Sequence, residues 1–220
     1  MNTLENLSGP ILEPLSKGTP ECAVIFLHGY GANGADLLSL GKEWAPAFPN
    51  ILFASPNAPF PCQANPSGYQ WFNFTPDDMK GMIQEIHLAT SILDKYIESL
   101  MGKYDLDPEK IVLVGFSQGT VMAFASGLKK SFGGILGYSG AVVNDGKIFN
   151  HLANPLPLVS LVHGEQDQVI PVSTLHYSVD QLKSHNIPAE WKIIKGLEHG
   201  IDRQGLQIGQ AFLEKIFTPL

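Results

Sequence analysis

The run Ile111-Val112-Leu113-Val114-Gly115-Phe116-Ser117-Gln118-Gly119 constrains this chain more than any other stretch. Four apolar residues lead into G-x-S-x-G, and a segment with helical character follows. A serine squeezed into a sharp strand-to-helix turn holds its Oγ out at the edge of a sheet. The flanking glycines keep side chains out of a crowded turn. A helix that begins at the serine turns its free amides and positive dipole end toward any negative charge formed there. The pattern therefore predicts a strand–turn–helix unit suited to acyl transfer, provided the rest of the chain supplies a base, an acid and an oxyanion hole.

The remaining elements fit the same plan. Short apolar runs predict strands at Cys22–His28, Asn50–Ser55, Ile111–Gly115, Gly133–Tyr138, Leu158–His163 and Glu190–Lys195. Near-continuous runs such as Ala23-Val24-Ile25-Phe26-Leu27 read as strands buried on both faces. Between them, helices are expected at about 35–47, 79–101, 117–130, 174–185 and 202–217. In the longest, Ile83, Ile86, Thr90, Leu93, Ile97 and Leu100 recur at helical spacing, and Asp77-Asp78 suit its positive end. Strands alternating with helices predict a mostly parallel central sheet with helices on both faces, here as one α/β domain over 1–220. The sheet order is not readable from this pattern.

The segment 56–76 departs from the alternation. It carries five prolines together with Tyr69, Trp71, Phe72 and Phe74. A loop this long inside a compact domain is uncommon and often functional. It is expected to form a lid or wall for an apolar substrate, or a packed surface loop. As an apolar patch it would pair two subunits into a homodimer or touch lipid.

Composition excludes several classes. The net charge is −7, and no basic run exceeds Lys129-Lys130, which argues against nucleic-acid binding. No apolar stretch approaches the ~20 residues of a membrane helix. The start, Met1 to Leu7, lacks the basic and apolar regions of a leader. Two cysteines, Cys22 and Cys62, read as free thiols of a reducing compartment, so a cytoplasmic location is expected. No metal-ligand spacing or dinucleotide or phosphate-binding motif is present, and no cofactor is expected.

Seven histidines compete for the role of base. His199 lies in Gly196-Leu197-Glu198-His199-Gly200, after the last strand and before the last helix, where α/β sheets build their sites. Asp167, in the loop after Leu158–His163, is the expected acid, with Glu165 and Glu198 as rivals. Glu198 adjoins His199, and neighbouring side chains in extended chain point apart. The order Ser117, Asp167, His199 is that of nucleophile, acid and base in α/β-hydrolases. The oxyanion donors are expected at the amide of Gln118 and at the amide of Tyr30, in the glycine-rich bend Leu27-His28-Gly29-Tyr30-Gly31.

These residues resemble the phospholipase/carboxylesterase family, which includes acyl-protein thioesterases and lysophospholipases. The resemblance rests on Phe26-Leu27-His28-Gly29-Tyr30-Gly31, Gly115-Phe116-Ser117-Gln118-Gly119, Trp71-Phe72, His163-Gly164 with Asp167 and Pro171, and His199-Gly200. It implies a compact α/β-hydrolase without a large cap domain. It also implies Ser117, Asp167 and His199 as the triad, amides of Tyr30 and Gln118 as the oxyanion hole, and Trp71-Phe72 beside the acyl site. His28 would support the oxyanion loop and would not act as the base. Substrates would be small acyl esters or thioesters, including lysophospholipids and S-acylated proteins. Tyr30 stands where eukaryotic thioesterases carry leucine, and Thr120 where a further glycine is common; the Gly-Tyr-Gly bend is closer to bacterial carboxylesterases. The expected activity is serine carboxylesterase, with acyl-protein thioesterase as the alternative. A binding module on this fold usually lacks a triad member. A serine peptidase would need room for a gating domain that 220 residues hardly leave.

Overall fold

The computed structural model describes residues 7–75 and 77–217. The start at 1–6, which informs the leader reading, and Pro76, at the end of the expected loop, lie outside them. In chain order the elements are β1 (Ile11–Leu12), β2 (Cys22–Leu27), α1 (Gly34–Trp44), β3 (Ile51–Ala54), β4 (Phe60–Pro61), β5 (Tyr69–Gln70) and α2 (Met79–Tyr104). There follow β6 (Ile111–Phe116), α3 (Gln118–Gly127), β7 (Gly134–Tyr138), β8 (Leu158–Gly164), α4 (Ser173–Ser184), β9 (Glu190–Ile194) and α5 (Arg203–Phe217).

Seven strands form one sheet in the order β1-β3-β2-β6-β7-β8-β9. All neighbours are parallel except β1, which pairs antiparallel to β3. All six expected strands are present. β1 and the small β4–β5 hairpin were not expected: β1 is two residues long, and the hairpin contains Pro61, so neither carries a strand-like apolar pattern.

Alternation along each strand separates two cores. In β2, Ala23, Ile25 and Leu27 face the layer holding α2, α3 and α4, whereas Val24 and Phe26 face the layer holding α1 and α5. Helices therefore cover both faces. The buried stripe of α2 is Met82, Ile86, Ala89, Ile92, Leu93, Ile97 and Leu100. Expected members Ile83 and Thr90 are only half-buried. The stripe is shifted by one residue at its first turns, a rotation that moves Met82 and Ala89 under the sheet. Asp78 caps the helix by accepting from the Gly81 amide at 2.9 Å. Helix α3 ends at Gly127, three residues before the expected end, and α2 runs three residues further than expected.

Helix α5 is pinned to the sheet and to α1 by polar bonds as well as by Phe212 and Leu213. The buried Tyr138 hydroxyl donates to Gly205 O at 2.8 Å, and Trp44 Nε1 donates to Leu206 O at 3.2 Å. Tyr138→Phe leaves that carbonyl without its donor. It is expected to lower the Tm by roughly 2–8 °C in calorimetry, from about 1–2 kcal/mol of lost stability; an unchanged Tm would mean that the bond contributes nothing net.

The strand order reverses between β2 and β6: from β2 the chain moves outward to β3, and from β6 it moves the other way to β7 and β8. The crevice beyond the carboxyl ends of strands at such a switch point is where α/β sheets bind ligands. The loops carrying Tyr30 and Ser117 leave from these two adjacent strands, registered Leu27 against Gly115.

Candidate active site

Ser117 occupies the turn between β6 and α3 with φ 55° and ψ −117°. A residue with a Cβ adopts this region only under strain. The turn is held by Ser117 N–H donating to Tyr138 O at 2.9 Å and by Thr120 N–H donating to Ser117 O at 3.0 Å. Both glycines of the motif are required by close approach. A Cβ at Gly119 would lie 1.7 Å from Leu27 O, and one at Gly115 would lie 2.4 Å from the Gly119 backbone. Thr120 fits in its place because its hydroxyl lies within hydrogen-bonding distance of both Gly115 O (3.0 Å) and Tyr138 O (2.9 Å), joining β6 to β7.

Asp167 and His199 meet as expected, from the loops after β8 and β9. His199 Nδ1 donates to Asp167 Oδ2 at 2.7 Å. The other oxygen, Oδ1, accepts from the amides of Val169 (2.9 Å) and Ile170 (2.8 Å). Burial alone would raise the Asp167 carboxyl, but the His199 bond and these two amides outweigh it and hold it below the ordinary carboxylate range. The His199 ring packs 4.9 Å from that of Phe116, the residue before Ser117. Ser117 and His199 make no hydrogen bond to each other in this structure. The rival Glu165 instead accepts from the Gly196 amide at 3.2 Å, bracing the loop that carries His199.

His163 has a place in this site that its position at a strand end did not signal. It is buried, its Nε2 donates to Ile170 O at 2.8 Å, and the same nitrogen lies 3.3 Å from Asp167 Oδ2. Three further histidines serve elsewhere. His87 bonds Asp145, His185 stacks on Phe149, and His176 sits edge-on to Trp191.

The amides of Tyr30 and Gln118 make no hydrogen bond to protein acceptors among the described residues. Gln118 is the first residue of α3, so its N–H is one of the helix's orphan donors. His28 is wholly buried; its Nδ1 donates to Gly29 O at 2.7 Å and its Nε2 accepts from the Ala58 amide at 2.9 Å. Burial lowers its pKa, which favours this neutral tautomer. It braces the loop and is not placed to act as the base.

Trp71 and Phe72 are 0% and 3% exposed, which corrects the expectation of an aromatic surface patch; of that group only Phe74 is exposed. Their segment is fastened rather than free: Gln118 Oε1 accepts from Trp71 N–H (3.1 Å), and Gln118 Nε2 donates to Phe72 O (2.8 Å). Asn73 further bonds Glu85 of α2. Among the described residues no group of three or more His, Cys, Asp or Glu side chains could hold a metal ion.

The arrangement of a serine in a strained turn, a hydrogen-bonded histidine–carboxylate pair and two free amides agrees with what similar chains are named for. A relative from Gibberella zeae described as acyl-protein thioesterase 1 is 30% identical over 89% of this chain and 91% of its own. An Escherichia coli relative described as esterase YpfH is 26% identical over 84% of this chain and 78% of its own. The crystal structure of esterase PE8 superposes with a TM-score of 0.89 at 35% identity, covering 96% of this chain and all of that one. The family model described as phospholipase/carboxylesterase matches residues 14–217, and this chain belongs to that family.

Proposed function

We propose that the chain, acting as one catalytic domain, is a serine carboxylesterase working through an acyl-enzyme on Ser117. The observation that carries this reading is the Asp167–His199 hydrogen bond placed beside the strained Ser117 turn. With Nδ1–H committed to Asp167, the lone pair of His199 lies on Nε2, the tautomer that can accept a proton from serine. Ser117 Oγ attacks the acyl carbon, and His199 takes its proton. The oxyanion of the tetrahedral intermediate is received by the amides of Tyr30 and Gln118. His199 then protonates the departing alcohol or thiol and afterwards activates water to release the acid. The thioesterase relatives favour thioesters as a second substrate class.

Trp71 and Phe72 support the wall of this site from within the core and leave no open aromatic groove of their own. The kcat/KM for p-nitrophenyl esters is therefore expected to peak at short acyl chains across a series from acetate to palmitate. Each methylene that finds a place in the pocket adds about fourfold, from roughly 0.8 kcal/mol of burial. A rate climbing steadily to palmitate would overturn the short-chain reading and make lysophospholipids and S-acylated proteins the substrates. The described helices include none long and apolar enough to cross a membrane, and both cysteines are unpaired. A cytoplasmic location completes the proposal.

A further inference from the structure

Two amides can stabilise an oxyanion together only if both are aimed at one point, and they come from different loops, one after β2 and one after β6. A single chain of hydrogen bonds connects them. The peptide that carries the Tyr30 N–H also carries the Gly29 carbonyl, on its opposite side because the unit is planar and trans. Gripping that carbonyl, as His28 Nδ1 does at 2.7 Å, aims the amide the other way. The preceding peptide is gripped in turn, since Trp71 Nε1 donates to His28 O at 2.9 Å. The Trp71 amide then donates to the side chain of Gln118, and that side chain donates to Phe72 O. Gln118 is the residue whose own backbone N–H is the second donor.

We infer that Trp71 and the Gln118 carboxamide are positioning residues that hold the two oxyanion donors in mutual register. This rests on the serine-esterase reading above, and it gives Trp71 a part distinct from contact with substrate. Trp71 is fully buried, so its indole N–H could not be left unpaired without cost, and the acceptor it has taken is a carbonyl of the oxyanion loop. The Gln118 side chain is buried, and its two bonds both reach the 71–72 backbone. Because the oxyanion exists only along the reaction path, a misaimed donor lowers kcat and spares KM. A residue that walls the acyl pocket does the reverse and alters chain-length preference.

The test uses Trp71→Phe, which keeps a ring and removes the indole N–H, and Gln118→Leu, which removes both side-chain bonds and keeps the backbone amide. Wild type is first labelled with a fluorophosphonate at Ser117. Each variant is expected to lose about 10- to 100-fold in kcat on p-nitrophenyl butyrate, somewhat less than removal of a donor outright. KM should stay within about twofold, with an unchanged chain-length profile. Inhibition by a trifluoromethyl ketone, which binds as a tetrahedral oxyanion, should weaken by the same factor. The double variant should fall little further than the worse single one, since both cut one circuit. An unchanged kcat, a raised KM with intact kcat, or multiplying losses in the double variant would overturn the inference while leaving the esterase reading in place. A wild type that takes up no label would bring down both. Should Trp71→Phe fail to fold, Gln118→Leu alone decides the matter, because it leaves every core ring in place.

Discussion

Ser117→Ala is expected to lower kcat/KM on p-nitrophenyl butyrate by about 10⁴- to 10⁶-fold and to abolish fluorophosphonate labelling. The residual rate is that of water attacking an ester held against two amides, without a covalent intermediate. The substitution should not cost stability. Ser117 holds a left-handed backbone, and alanine, with the same Cβ, meets the same strain but breaks no hydroxyl bond on which the fold depends. A folded Ser117→Ala protein with wild-type turnover would refute the mechanism outright, because the mechanism runs through a covalent bond to the Ser117 hydroxyl oxygen.

The second large effect is at the acid. Asp167→Asn is expected to reduce kcat by about 10⁴-fold with little change in KM. Asparagine can still accept from the Val169 and Ile170 amides, but whichever way its amide turns, it no longer offers His199 a carboxylate. With an Nδ2 donor facing it, His199 moves its proton to Nε2 and can no longer accept from Ser117. The same substitution carries a pH signature in stability. The Asp167 carboxyl is held below its ordinary value in the folded protein. It therefore stabilises the fold above the unfolded carboxylate pKa of ~3.9, and that contribution is lost as pH falls through the lower folded value. Urea unfolding should show wild type more stable than Asp167→Asn by a constant margin above about pH 5, narrowing below about pH 4. A margin that widened on acidification would mean that Asp167 is protonated in the folded protein at neutral pH.

The candidate site of this chain was legible where its geometry depends on local pattern. G-x-S-x-G after an apolar run requires a strand, a tight turn and a helix in succession, and the approach of Gly119 to Leu27 O shows why no other residue serves there. Asp167 and His199 were legible because each follows a strand that ends at one edge of a parallel sheet. What was not legible depends on distance in space rather than on spacing in sequence. His163 looked like the end of a strand, and only the return of the loop through Ile170 brings its ring to Asp167. Trp71 and Phe72 looked like members of an exposed aromatic patch because an aromatic pair amid prolines carries no periodicity that says which way it faces. Its burial is decided by Gln118 and His28, 47 and 43 residues away. β1 escaped notice because two residues joined to a sheet edge carry no alternation to read.

The position of the groups along the sheet divides the proposed catalyst in two. Tyr30, Gln118 and Ser117 depend on β2 and β6, each flanked by a strand on either side. Asp167 and His199 depend on β8 and β9, and β9 is an outermost strand with a single neighbour. Outer strands open more readily than central ones. The charge-stabilising half of the machinery is thus built into the most durable part of the molecule, and the proton-carrying half into a more yielding margin. Heat or denaturant that loosens this margin will silence the catalyst while its cradle for the oxyanion still stands, so working lifetime is governed by the last strand and its loop rather than by the core.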